Sequence, residues 1–279
     1  MLTLFAVPKP FRGHIGRIQT NALETWTRLR PPCRTLVFGD EEGVAEAAAR
    51  FGVEHVPGLP RNEYGTPLLD WVFSEAARRA GSGLLCYVNA DLMLLNDFPE
   101  AAGRIPFAQF LMVGQRYNVD LGRPWDFEDP QWPERLRELA QRSGELEPPA
   151  GSDFFVFPCG CGLEDLPPFA VGRPGWDNWM IYRARQLNMP VVDATPAVTV
   201  VHQNHDYSHV PGARGPKWFG PEGDANYALL GSMRNAYTLA HATHVLEPGG
   251  LRALPAAAGS DRPARRERTP AAERPASRK

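Results

Sequence analysis

The chain has 279 residues, and 43% of them are apolar, enough to bury one large core around a sheet. Charged residues make up 22% and the net charge is −2, so no field exists that would by itself recruit nucleic acid or an anionic membrane, and a small-molecule partner is expected. The opening apolar run is too short for a signal sequence and nowhere do 18 apolar residues follow one another, so neither export nor a membrane span is expected.

In chain order, apolar runs alternate with helical patterns. A strand is expected over 3–7, a helix over about 18–29, a strand over 35–38, a helix over 41–51 and a strand over 53–56. A longer helix follows, with Thr66 as N-cap, Pro67 at the first helical position, a stripe of Leu68, Leu69, Val72, Phe73, Ala76 and Ala77, and a stop at Gly81. It feeds a buried strand over 84–88. This order implies βαβ units and a parallel sheet. Beyond it the pattern loosens, with strands expected over 110–114, 154–157, 191–193 and 198–202, and helices near 133–142, 177–187 and 224–234. The second half therefore reads as a mixed sheet with long loops, which in compact domains are usually functional. One domain is expected over 1–252, followed by a Pro/Ala/Arg-rich tail over 253–279 that cannot bury enough apolar surface to order itself. The tail carries a net charge of +4, either as a solvated segment or as a basic arm. Cys33, Cys86, Cys159 and Cys161 are few for this length and Cys86 sits in an apolar run, so reduced thiols and a cytoplasmic setting are expected. The C-G-C at 159–161 reads as two loop thiols in preference to half of a zinc site.

Ligands of open α/β sheets bind beyond the carboxyl ends of the strands. There the first strand runs into Pro8 and Lys9, the second into Asp40, and the fourth into Asn89, Ala90 and Asp91. Asp91 lies within an apolar stretch, where a carboxylate needs a cation or hydrogen bonds. Mg²⁺ or Mn²⁺, which take one or two carboxylates and complete their shell with water and phosphate oxygens, would satisfy it; a turn cap is the plainer alternative.

Asn89-Ala90-Asp91, closing the fourth strand after three βα units, resembles the D-x-D motif of GT-A glycosyltransferases. The wider runs NALETW, LVFGDEEGV, YGTPLLD, YVNADLML, GRPGWDNW and VVHQNHDYSH resemble bacterial and plant glycosyltransferase-like proteins, over roughly residues 1–250. The resemblance implies a GT-A fold, a nucleotide-diphosphate-sugar donor held by Pro8, Lys9, Asp40, Asn89 and Lys217, and a metal on Asp91. Asn89 stands where the family usually has Asp, which lowers the charge of the site.

In GRPGWDNW, Asp177 opens a helix between Trp176 and Trp179 and resembles the catalytic carboxylate of inverting members; a helix N-cap is the alternative. Trp176 and Trp179 are the expected acceptor platforms. His202, His205, Asp206 and His209 cluster after a strand, where the histidines serve either as metal ligands or as hydrogen-bonded loop residues. His209 and Lys217 also distantly resemble the H-x-x-G-x-x-K-P-W element of some retaining enzymes. Asp153, at the start of an apolar strand, either orients the acceptor and stabilises charge on the sugar or caps a loop. Tyr117, Trp125, Phe127 and Trp132 either stack on an acceptor sugar or pack in the core. A sugar nucleotidyltransferase is disfavoured because PKPFRGHIGR lacks the G-x-G-x-R loop of that class; a non-catalytic sugar-binding module is the reading from another class.

Overall fold

The computed structural model describes residues 1–205 and 220–255. Along the first half run β1 (Leu2–Ala6), α1 (Gly13–Thr27), β2 (Arg34–Phe38), α2 (Val44–Phe51), β3 (Glu54–Val56), α3 (Leu69–Ala80), β4 (Leu84–Val88), β5 (Leu92–Leu94), α4 (Asp97–Gly103), β6 (Leu111–Val113) and β7 (Tyr117–Val119). The second half adds α5 (Trp132–Ser143), β8 (Glu145–Leu146), β9 (Phe154–Pro158), α6 (Trp176–Gln186), β10 (Val191–Asp193), β11 (Val200–Gln203), α7 (Pro221–Leu230), β12 (His244–Glu247) and β13 (Gly250–Ala253).

Side chains alternate along a strand, so a strand buried on both faces must be apolar at every position. β4 meets this condition throughout, and β1 at every position but the buried Thr3. Leu4, Ala6, Cys86, Val88, Phe154 and Val156 pack with Ala22 and Trp26 of α1, Val44 of α2 and Phe98 of α4. Their neighbours Phe5, Leu85, Tyr87, Phe155 and Phe157 pack with Val72 and Phe73 of α3 and Met180 and Ile181 of α6. The result is a nine-stranded mixed sheet, in order β13-β12-β10-β6-β9-β4-β1-β2-β3, covered by helices on both faces. β9 enters antiparallel between β4 and β6, so its first residue pairs with the last of β4, Phe154 with Val88. That reversal carries Asp153 to the carboxyl end of β4.

A second, four-stranded sheet, β5-β11-β7-β8, leans on the first. It too is two-faced: Leu92, Leu94 and Val200 join the core under α1, while Met93, Leu95 and Val201 join Leu136 and Ala140 of α5. β5 and β11 are antiparallel, with His202 opposite Leu92.

Four expected helix starts differ from those observed by more than one residue, α2 among them, which begins at Val44 and not at 41. α1 begins at Gly13, about five residues early, behind Arg12, whose side chain makes no cap bond, so no capping residue marks the start. Gly16 is needed there because a Cβ would meet the Phe11 carbonyl carbon at 2.6 Å. α3 begins at Leu69, without Thr66 as cap: residues 67 and 68 are drawn into bridges with Arg61 and Ala170, and the Leu69 N–H goes to the Phe169 carbonyl. α7 starts earlier, at Pro221, and stops at Gly231, whose φ of 81° suits glycine. No helix among the described residues is long and apolar enough to cross a membrane. The four cysteines are all free. His209, Lys217 and Asp206, and the tail from 256 onward, lie outside the described residues.

Candidate active site

The antiparallel pairing of β5 with β11 brings together residues more than 110 positions apart. His205 Nε2 lies 3.2 Å and His202 Nε2 3.8 Å from the same oxygen of Asp91, Oδ2. Among the described residues these three form the only His/Cys/Asp/Glu group close enough to hold one metal ion, with ligand atoms within 4.8 Å of one another. The Asp91 side chain is 15% exposed, and its Oδ1 is buried with no hydrogen-bond partner among the described residues. A buried carboxylate oxygen left unpaired beside two imidazoles fits a cation. A set of two imidazoles and one carboxylate departs from the all-oxygen shell that Mg²⁺ demands and leaves a first-row divalent ion such as Mn²⁺ to complete its shell with oxygens of water and phosphate.

Burial opposes ionisation of Asp91, but the hydrogen bond from His205 and the charges of His202 and Lys9 overcome it and hold the carboxyl below the usual carboxylate range. Burial pushes the His202 imidazole down to about 4, with Asp91 only partly offsetting it. His202 is therefore neutral, as a metal ligand must be, at pH 7. Between about pH 6.5 and about 4 the unfolded chain takes up a proton that the folded His202 refuses, so the metal-free protein is expected to lose stability as pH falls across that window. The Asp91 contribution is lost only below that range. In His202→Gln the melting temperature should depend less steeply on pH between 7 and 4.5; an unchanged slope would contradict the shift.

Lys9 lies near Asp91, its amine lowered by burial and partly raised again by that carboxylate. Its main chain is clamped at both ends by Gln19, which accepts from the Lys9 N–H at 2.7 Å and donates to its carbonyl at 2.8 Å. Pro8 is buried beside it. Asp40 stays exposed at the end of β2, where it accepts from the Gly58 N–H at 2.8 Å.

Asn89 donates its amide to Asp153 Oδ1 at 2.6 Å, and Asp153 also forms an ion pair with Arg116. An aspartate at 89 would set two carboxylates against each other, so the neutral residue has a local reason. Arg116 continues the chain to Glu147 at 3.5 Å, and Asn118 donates to Glu147 at 2.6 Å. Asp153 is thus held between Asn89 and Arg116.

Asp177 occupies the second position of α6, behind Gly175, so it is not the N-cap. Burial raises its carboxyl above the usual range, against the backbone N–H groups of Asn178, Asp177, Gly175 and Ser152 that face it. The Ser152 N–H places Asp177 next to the Asp153 segment. Asn178 reinforces this by donating to the carbonyls of Ala150 and Tyr237. The expected acceptor role of Trp176 is corrected: it is 6% exposed, with its ring 4.9 Å from Tyr87 and 5.1 Å from Phe155, and belongs to the core. Trp179 is partly buried with its ring 5.8 Å from Phe169. Of the other aromatic residues, Tyr117, Trp125, Phe127 and Trp132 pack around the small sheet. Cys159 and Cys161 flank a turn in which Glu164 accepts from the Gly160 and Gly162 N–H groups, at the end of β9 away from Asp153.

No protein-family model matches the chain, and no curated protein matches it either. Among solved structures it is similar to S. aureus TarS 1-349 in complex with UDP-GlcNAc, at 13% identity and a TM-score of 0.50, over 82% of this chain and 64% of that one. The fold is GT-A. Lesser likenesses are to the mannosyltransferase PcManGT from Pyrobaculum calidifontis in complex with GDP-Man and Mn²⁺ (13% identity, TM-score 0.45, 74% of this chain and 58% of that one) and to glucosyl-3-phosphoglycerate synthase from Mycobacterium tuberculosis in complex with phosphoglyceric acid (12%, 0.48, 85% and 80%). The chain spans less than two thirds of the length of TarS 1-349 and of PcManGT. In the GT-A frame Asp91, Asp153 and Lys9 share the crevice at the carboxyl end of β4. A cleft of about 480 Å³, lined by Asp120, Arg123, Trp125, Asp126 and Arg142 among others, opens beside it. Asn204, next to His205, donates to Asp120 at 2.9 Å and joins the two.

Sequence reasoning missed Arg116, Gln19, Asn21 and Gln203.

Proposed function

We propose that the protein is a metal-assisted glycosyltransferase that moves a sugar from a nucleoside diphosphate to an acceptor hydroxyl. The observation that carries this reading is the convergence of Asp91, with its unpaired buried oxygen, and His202 and His205 at the carboxyl end of β4 in a GT-A sheet. The complex of TarS with UDP-GlcNAc is consistent with a nucleotide-sugar ligand for this fold. Asp91, His202 and His205 would hold the metal, which when bound neutralises charge on the departing diphosphate. Lys9 adds a cation on the same side, and Asp40 meets the nucleoside at the end of β2. Asn89, fixed by Asp153, lines the sugar end.

Transfer with inversion then needs one base. The acceptor oxygen attacks the anomeric carbon, the bond from that carbon to the diphosphate oxygen breaks with its electron pair leaving on the nucleoside diphosphate, and the acceptor proton passes to Asp177. Burial raises the proton affinity of Asp177, which suits that role, whereas Asp153 is engaged by Arg116. The cleft along Asp120 and Trp125 is the proposed acceptor side.

The test is a thermal-shift screen of UDP, GDP, ADP and dTDP with and without Mn²⁺, followed by assay of nucleoside diphosphate release from the matching donor sugars. One nucleotide is expected to raise the melting temperature, with the rise reversed by chelator. No shift and no release across the panel would defeat the proposal. A shift without any release or transfer would instead identify a binding module.

A further inference from the structure

We propose that the buried amide pair Asn21–Gln203 is a positioning element of the metal site, fixing the main chain of Asp91 so that its carboxylate meets His202 and His205. The inference rests on the metal reading of that site. Gln203 is fully buried and Asn21 is 3% exposed. Gln203 Nε2 donates to the Ile18 carbonyl at 2.8 Å and to the Asp91 carbonyl at 3.0 Å, while its Oε1 accepts from Asn21 Nδ2 at 2.8 Å. Both amide protons and the carbonyl are used, so the orientation of the side chain has no alternative: rotating the amide by half a turn would set its oxygen against two carbonyls. Asn21 Oδ1 in turn faces the Trp125 N–H at 3.4 Å.

The consequence is positional. Gln203 follows His202 directly, and its side chain binds the main chain of Asp91 from across the β5–β11 pair. One residue thereby sets the distance between the two halves of the ligand set and docks both on α1 through Ile18. Asn21 extends the link to Trp125 in the wall of the neighbouring cleft. Groups that orient metal ligands without touching the metal change affinity by about 10–100-fold when removed.

Gln203→Met keeps length and burial but makes none of these bonds. Its Mn²⁺ affinity, read from the spectrum of free Mn²⁺ in titrations, is expected to fall about 10–100-fold. Asn226→Leu is the control: Asn226 is 1% exposed and brackets the Ala170 main chain with two bonds of 2.9 and 3.1 Å. It should lower the melting temperature while leaving Mn²⁺ affinity unchanged. If Gln203→Met gives no cooperative melt, Asn21→Ala, which keeps both carbonyl contacts of Gln203 and removes only its brace, is read in the same way. Equal Mn²⁺ affinity in wild type and the Gln203 or Asn21 variant, or an equal loss in Asn226→Leu, overturns the proposal. In metal-free protein the Cε1–H resonances of His202 and His205 should move in Gln203→Met and stay in Asn226→Leu, and unmoved resonances overturn it too. Wild-type protein that takes up no Mn²⁺ would defeat the metal reading instead, with the resonances still deciding the positioning role.

Discussion

Asp91→Asn is expected to weaken Mn²⁺ binding by at least about 100-fold, a loss no smaller than that for an outer-shell partner, and to lower sugar transfer by about 1,000-fold or more. The substitution removes the one carboxylate of the ligand set and leaves two imidazoles, which hold a hard divalent ion poorly. The fold should survive, since the amide matches the carboxylate in size and removes a charge whose burial works against it. Metal titration and transfer with the donor identified by the thermal screen measure both effects. Wild-type activity with an unchanged response to chelator would remove Asp91 from the mechanism.

Asp177→Asn is expected to leave fold and donor affinity intact and to cut turnover by about two to four orders of magnitude, the range for losing general-base assistance. The amide can still accept from the N–H groups at the start of α6, but it cannot take a proton. Asp177→Ala should lose the same activity and, with the hydrogen bonds from the facing backbone N–H groups, about 1 kcal/mol of stability. Since burial raises the carboxyl, the acid limb of kcat/KM should lie above the ordinary carboxylate value of about 3.9 and vanish in the Asn variant. Unchanged transfer by Asp177→Asn at saturating donor and acceptor would leave the residue a structural acceptor at the helix start.

The legible parts of this chain are those in which one local pattern decides. β4 is a continuous apolar run, and β1 and the second half of β2 are nearly so, because both sheet faces are covered, and β10 appears at the expected residues. β5 was hidden because Leu92–Leu94 continues the apolar run of β4 after only three residues, so nothing local says that the chain has changed sheet. Its partner decides that, and the partner is β11. Asp91 and the histidines were legible as polar residues at strand ends, but their meeting depends on that pairing. Trp176 shows the opposite failure. A tryptophan beside an aspartate suggested a sugar platform, although 176, 180 and 184 form one buried stripe with Trp176, Met180 and Ala184, a spacing that was available in the sequence. Asn21 and Gln203 were illegible because a buried amide is recognisable only by the carbonyls that fold around it.

The ligand set also bears on how the chain assembles. Asp91 and His205 are 114 residues apart and flank the antiparallel neighbours β5 and β11, which are separated in the chain by β6 to β10. An ion seated on all three side chains therefore acts as a removable clip across a very long loop, favouring the folded chain by about 2.7 kcal/mol when present at a hundred times its dissociation constant. That gain falls on the small sheet, so amide exchange in β5 and β11 should slow on metal addition while β1 and β2 keep their rates, and depletion of the ion should loosen the molecule first along this seam.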